Sequence, residues 1–277
     1  YKSIYNSVGT PGTTPGTSLV LLQAQQKLNE FATPMSPRYA TVNPAANAGL
    51  VEGMKGLFNP TDTVSRQFKN GMMGTGVLGF DEINMSQSIG MHTTGAWGTT
   101  ITSTGTLSTQ GQATLPISFT GSSKTWKQGD VFTIAGVYAV NPQTRQSTGS
   151  LQQFVVTADL TASSTGTLSI SPAIYTADHA LATVDSFPQA TAVVTMLGSA
   201  STQYAQNLSY HKDAITLATA DLLLPQGVDM ASRQTHNGIS MRIVRQYDIN
   251  NDRMPCRVDV LYGYAAIRPS MATRIWG

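Results

Sequence analysis

From Ile239 to Ile249, and again from Met254 to Ala266, apolar and polar residues alternate, which predicts two strands. Asn250, Asn251, Asp252 and Arg253 lie between them and carry turn chemistry, so the pair reads as a long β-hairpin. A turn centred on Asn251 and Asp252 sets Ile249 opposite Met254, Tyr247 opposite Cys256 and Ile243 opposite Val260. One face then collects Met241, Ile243, Tyr247 and Ile249 with Met254, Cys256, Val258, Val260, Tyr262 and Tyr264, and is expected to cover a core. Arg245 intrudes on that face and, because an unpaired buried charge costs several kcal/mol, must find a carboxylate or several carbonyls or snorkel to the sheet end; an acid of another segment or subunit is the expected partner. On the opposite face Asp248 is expected diagonal to Arg257, and Arg242 diagonal to Asp259, as exposed pairs that serve register and neighbour contacts.

Earlier in the chain the period changes. Leu21, Ala24, Leu28, Phe31 and Ala32 recur at helical spacing after Thr17 or Ser18 as a cap, and Pro34 with Pro37 stops that helix. Arg38 to Val42 reads as a short strand. Asn43 and Pro44 then open a second helix to about Phe58, with Leu50, Met54, Leu57 and Phe58 on one face. Gly49, Gly53 and Gly56 weaken it by about 1 kcal/mol each relative to Ala unless close packing requires them. From Val77 to Met91 the pattern turns to short extended segments, with Ile83 and Met85 on one face.

The middle is a run of strands at short spacing: Thr114 to Phe119, Val131 to Val140, Leu151 to Thr157, Thr167 to Ile170 and Ala192 to Leu197. Turns such as Gln128-Gly129-Asp130 and Thr148-Gly149 separate them, a pattern that predicts a small barrel or sandwich. Composition marks its edges. Between Gly98 and Gln206 the only basic residues are Lys124, Lys127 and Arg145, whereas Asn207 to Gly277 holds seven arginines. The expected organisation is therefore residues 1–97, an inserted β domain at 98–206, and a return to the first part at 207–277.

Only 12% of the 277 residues are charged, against about 25% in usual soluble domains, and the net charge is +2. That balance gives no argument for nucleic acid or membrane. No apolar stretch approaches the roughly 20 residues that span a bilayer, and no signal peptide opens the chain, so an intracellular setting is expected. The single cysteine, Cys256, reads as a small core residue of an apolar run.

Candidate chemistry is thin. Gly74-Thr75-Gly76-Val77-Leu78-Gly79 matches a dinucleotide fingerprint, but no strand precedes it, no helix follows, and no acid stands about twenty residues on. His92, His179, His211 and His236 are scattered without metal-ligand spacing. His211-Lys212-Asp213 is a dense polar knot that reads as a turn or subunit edge. A serine hydrolase would need a triad that abundant serine could supply, yet no G-x-S-x-G elbow is present. No catalytic residue, cofactor or metal is predicted.

Three stretches carry a resemblance. NSVGTPGTTPG at Asn6 to Gly16, with NEFATPMSPRYATVNPAANAGLV after it, looks like the start of an apical domain. Gly129 to Val156, GDVFTIAGVYAVNPQTRQSTGSLQQFVV, is similar to the core of an inserted domain. NLSYHKDAITLATADLLLP at Asn207 to Pro225 and Gly238 to Gly277 form the strongest match. Together they resemble the coat-protein family of short-tailed phages of the P-twenty-two type. The resemblance implies an α+β tailed-phage capsid fold (HK-ninety-seven type) with an inserted all-β barrel-like domain. It also implies a major coat subunit of a virion capsid, assembled in the host cytoplasm into hexamers and pentamers around double-stranded DNA. A scaffolding protein and a portal are the implied partners, DNA is touched non-specifically on the inner face, and no membrane is involved. Arg242, Arg245, Asp248, Arg257 and Asp259 are the residues expected to matter for assembly or register. The family's N-terminal arm, extended loop and spine helix have no counterpart before Tyr1, so this chain alone is not expected to close a shell. A phage tail or decoration protein is the alternative built on the same Thr/Ser-rich β material, and an esterase is a third.

Overall fold

Helix α1 (Ser18–Glu30) buries Leu21, Ala24 and Leu28 along one stripe, as its spacing requires. Thr17 holds the extended N-cap conformation without a side-chain capping bond, and the chain leaves the helix through Ala32 at φ 53°. The computed structural model describes residues 1–54, 75–105 and 107–277. In chain order the elements around α1 are β1 (Ser7–Val8), β2 (Arg38–Val42), α2 (Pro44–Met54), β3 (Thr75–Val77), β4 (Phe80–Met85) and β5 (Met91–Thr93). There follow β6 (Ile101–Ser103), β7 (Gln112–Ser118), β8 (Lys124–Trp126), β9 (Val131–Val140), β10 (Ser147–Val156), β11 (Leu160–Ala162), β12 (Thr165–Ile174) and β13 (Val193–Met196). The chain ends with β14 (Gln203–His211), β15 (Ile215–Ala220), β16 (Met230–His236), β17 (Ile239–Arg245), β18 (Cys256–Ala266) and β19 (Ala272–Trp276).

Two compact units result, Tyr1–Ala214 with Arg268–Gly277, and Ile215–Ile267. The first contains a platform sheet in the order β1-β19-β14-β2-β4-β3, with β5 on the other half of β14. α1 and α2 cover it. Leu21, Ala24 and Leu28 pack with Ala40, Val42, Ala46, Leu50, Phe80, Ile83 and Ile275. Asn43 caps α2 by accepting the Ala46 N–H at 2.8 Å. The glycines of α2 have a packing reason, since a Cβ on Gly49 would lie 2.7 Å from the Pro15 carbonyl oxygen and one on Gly53 would overlap that of Gly16. The expected continuation of this helix to Leu57 and Phe58, with Gly56, lies outside the described residues.

A closed barrel, β10-β12-β7-β6-β13-β9, occupies the stretch from Ile101 to Met196. Its interior is filled by inward residues of every long strand, among them Leu115, Ile117, Phe132, Ile134, Phe154, Val156, Leu168 and Ile170. A two-stranded ribbon of β8 and β11 adds the buried Trp126, against which Phe119 packs edge-on at 4.7 Å. Closure removes the exposed strand edges that so polar a sequence would otherwise leave unpaired. The strand runs read from alternation are present; β6, β8 and β11, each three residues long, are too short to show a period. After Gly79 the described chain forms the strand β4, where a nucleotide-binding turn would need a helix.

The second unit is a four-stranded antiparallel sheet, β15-β18-β17-β16. Asn237 (φ 49°) and Gly238 (φ 79°) join β16 to β17 with His236 opposite Ile239, the geometry of a type I′ hairpin turn.

Candidate assembly surface and barrel anchorage

The β17–β18 hairpin forms with a register two residues from the one expected. Arg245 lies opposite Cys256, Ile243 opposite Val258 and Met241 opposite Val260, with a further bridge between Asp248 and Arg253. The cause is Asp248. Its carboxylate accepts the Asn250 N–H at 3.1 Å and the Asn251 Nδ2–H at 2.7 Å, so the turn starts at Asp248 and closes through Asp252 at φ 48°. Those same bonds hold the Asp248 carboxyl below its ordinary pKa. A shift of two keeps every side chain on its expected face.

The shift changes the partners. Arg242 and Asp259 are directly opposite, not diagonal, and largely buried, with Nε donating to Oδ2 at 3.1 Å. Arg257 Nε stands 2.8 Å from the other oxygen of the same carboxylate. Arg242 holds Asp259 below the usual carboxylate range, with Arg257 adding to the effect. Asp248 and Arg257 do not form the expected pair, because Asp248 is spent on the turn. Arg242 Nη1 also donates to the Leu223 carbonyl and Arg233 Nη1 to that of Leu222, tying the preceding loop to this polar face.

Arg245 is on the apolar face as expected but is 43% exposed, and it pairs with Asp229 of the same chain, Nε to Oδ2 at 3.1 Å. The apolar face does not cover a core. Val258 is 58% exposed, Tyr262 63% and Tyr264 77%, and Met241, Val260 and Leu217 are also exposed. Cys256 is likewise exposed and not a core residue. The physical reason is that this unit is one sheet thick and has no second layer of its own.

A second polar constellation lies in the first unit, where the sequence pointed to a turn but to no site. His92 Nε2, from β5, donates to Asp130 Oδ1 at 2.8 Å, both side chains being buried. Asp130, in the turn before β9, also accepts the N–H groups of Lys127 at 2.8 Å and Gly95 at 3.1 Å. Arg274 of β19 is wholly buried; its Nε donates to the Ile4 carbonyl and its Nη1 to the Gly129 carbonyl, both at 2.7 Å. Burial pulls the Arg274 pKa down to about 9, against the opposing influence of Tyr1 and Asp130. His92 and Asp130 are 38 residues apart, and Arg274 and Gly129 are 145 apart, so no local motif announces them. The turn Gln128-Gly129-Asp130 was the one legible part.

Chemically, these groups hold structure. The His211 knot is a short 3₁₀ turn in which His211 Nδ1 accepts the Asp213 N–H, and Ser36 meets His211 through its carbonyl, leaving its hydroxyl on Asp81. Among the described residues no group of three or more His, Cys, Asp or Glu could hold a metal ion, and no helix is long and apolar enough to cross a membrane. What the chain offers is surface: a sealed barrel, a clamped platform and a sheet with one apolar face exposed, the make-up of a structural protein that works by contact.

The family described as P22 coat protein, gene protein 5, matches residues 7–277, and the chain belongs to that family. It is a structural subunit of a bacteriophage capsid, with self-association and a place in the virion as its properties. The major capsid protein of Acyrthosiphon pisum secondary endosymbiont phage 1 is 24% identical over 289 residues, which cover 98% of this chain and 68% of that protein. Among solved structures, the CUS-3 coat protein I-domain is similar at 30% identity over 36% of this chain and 96% of that domain, with a TM-score of 0.28. The family is one of structural capsid proteins, which points away from an enzyme.

Proposed function

We propose that the chain is the major coat subunit of an icosahedral shell of the HK-ninety-seven type, assembling into hexamers and pentamers around double-stranded DNA. In this reading residues 1–97 belong to the apical core, 98–206 are an inserted β domain, and 207–277 return to the apical and peripheral core. The family match over residues 7–277 carries the reading. The exposed apolar face of the β15–β18 sheet supports it, since a sheet face of that kind is stable in water only when another surface covers it. The same reading includes assembly in the host cytoplasm with a scaffolding protein and a portal, and non-specific contact with DNA.

Arg242, Arg245, Asp248, Arg257 and Asp259 have two roles in this reading. Asp248 sets the hairpin register, and the Arg242–Asp259–Arg257 group keeps the sheet's polar face ordered for contact with neighbours. Electron microscopy of particles purified from cells producing the whole coat protein tests the reading. Closed isometric shells are expected; tubes or tail fragments would favour a tail protein, and binding only to preformed shells a decoration protein.

A further inference from the structure

We propose that Arg274, Asp130 and His92 form a clasp that fixes the angle of the inserted barrel on the platform, separately from the forces that fold either part. The barrel and the platform have separate cores: Phe132, Phe154 and Leu168 belong to one, Leu28, Val42 and Phe80 to the other. Neither core therefore dictates how the two parts are mutually oriented. The chain enters and leaves the barrel through a narrow stem, in which Thr94 N–H donates to the Thr202 carbonyl at 3.0 Å and Ser201 N–H to that of Gly95 at 3.1 Å. A stem of two hydrogen-bonded segments can bend. Beside it an apolar patch joins Val131, Ala139 and Val155 of the barrel to Tyr5, Phe31, Tyr204 and Trp276, and apolar attraction has little directional preference.

Direction comes from polar bonds: Ser7 and Gln153 bond reciprocally and Asn141 Nδ2 donates to the Glu30 carbonyl at part-buried sites away from the stem, and the clasp is the fully buried set beside the stem. Gly129 and Asp130 lie at the turn into β9 and are gripped from two sides, by His92 on β5 and by Arg274 on β19. Arg274 is itself held rigidly, since β19 pairs with both β1 and β14, and its Nε and Nη1 reach carbonyls of two segments at once. Only a planar guanidinium offers both donors in one fixed plane; a lysine ammonium would serve as a point charge. Asp130 binds the stem as well as the turn, because its carboxylate accepts Gly95 N–H together with Lys127 N–H. One buried group thus ties stem, turn and platform together.

The test is hydrogen exchange read by mass spectrometry on the intact coat protein and its variants Arg274→Met, Arg274→Lys and Asp130→Asn. The expected result is exchange roughly tenfold faster or more in the stem (residues 94–98 and 197–202) and the 127–130 turn, with barrel strands β10 and β12 and helix α1 as protected as before. Arg274→Lys should fall between Arg274→Met and the parent chain. Two results would overturn the proposal: folded variants whose stem is protected as in the parent, or loss of protection in the barrel and stem together, which would make the cluster a general stabiliser. If Arg274→Met yields no folded protein, Asp130→Asn and Arg274→Lys decide by the same criteria. The inference concerns the geometry of one chain, so its failure would leave the capsid reading untouched.

Discussion

Arg242 and Asp259 face each other directly across β17 and β18, and the carboxylate that receives Arg242 Nε at 3.1 Å is shared with Arg257. Because the pairing lowers the folded-state pKa of Asp259 below its unfolded value, its stabilisation is complete above the ordinary carboxylate range and is lost as pH falls through the folded value. The β15–β18 sheet should therefore unfold at lower denaturant concentration on acidification below about pH 4. Asp259→Asn should be less stable at pH 7 and show a flatter acid dependence. An unchanged acid dependence in the variant would exclude this assignment.

The turn at Asp248 predicts a split between two substitutions. Asparagine keeps an oxygen to accept the Asn250 N–H, so Asp248→Asn should retain the register in which Arg245 opposes Cys256. Asp248→Ala removes the acceptor and should broaden or shift the cross-strand contacts seen by nuclear magnetic resonance. Equal spectra for the two variants would show that the carboxylate does not set the turn.

The Arg245–Asp229 pair is half exposed on both sides, so Arg245→Met should cost less than about 1 kcal/mol in folding stability. In the proposed shell its effect belongs to assembly, as a lower yield of closed particles at equal solubility. A large loss of folding stability with normal particle yield would reverse that division.

Inside the barrel, Phe132 stacks on Phe154 with ring centroids 5.7 Å apart and neither is exposed. Phe132→Ala should destabilise the first unit by about 3–5 kcal/mol, visible as a lower urea midpoint with little change in slope.

A fragment from Gly98 to Gln206 contains all six barrel strands and most of their core, so it should unfold cooperatively with a β circular dichroism signal. Freed from the platform it uncovers Val131, Ala139 and Val155, and should unfold at a lower temperature than the barrel in the whole chain. A non-cooperative, disordered fragment would mean that the platform is needed to fold the barrel.

Local patterns were enough for much of this molecule. Helical spacing placed Leu21, Ala24 and Leu28 in the core, Asn43 announced a cap, and alternation marked the long barrel strands and both faces of the β17–β18 hairpin, because side-chain direction within an element depends only on near neighbours. The Asn237-Gly238 turn and the strand before it, β16, were not read from the sequence, because the residues of β16 are mostly polar and show no clear alternation. The kinship carried the function, which no catalytic or binding motif could have done.

Other features were decided only in three dimensions. The hairpin register followed one carboxylate, Asp248, whose choice between turn and cross-strand partner is a competition among nearly equal local bonds. The apolar face of the sheet was readable, but whether anything covers it depends on a second layer, which the strand's own period does not encode. The meeting of His92, Asp130 and Arg274 joins residues far apart in sequence, where each alone resembles a solvated surface group. Burial makes them a unit, because a buried charge must find its partners wherever the fold can bring them.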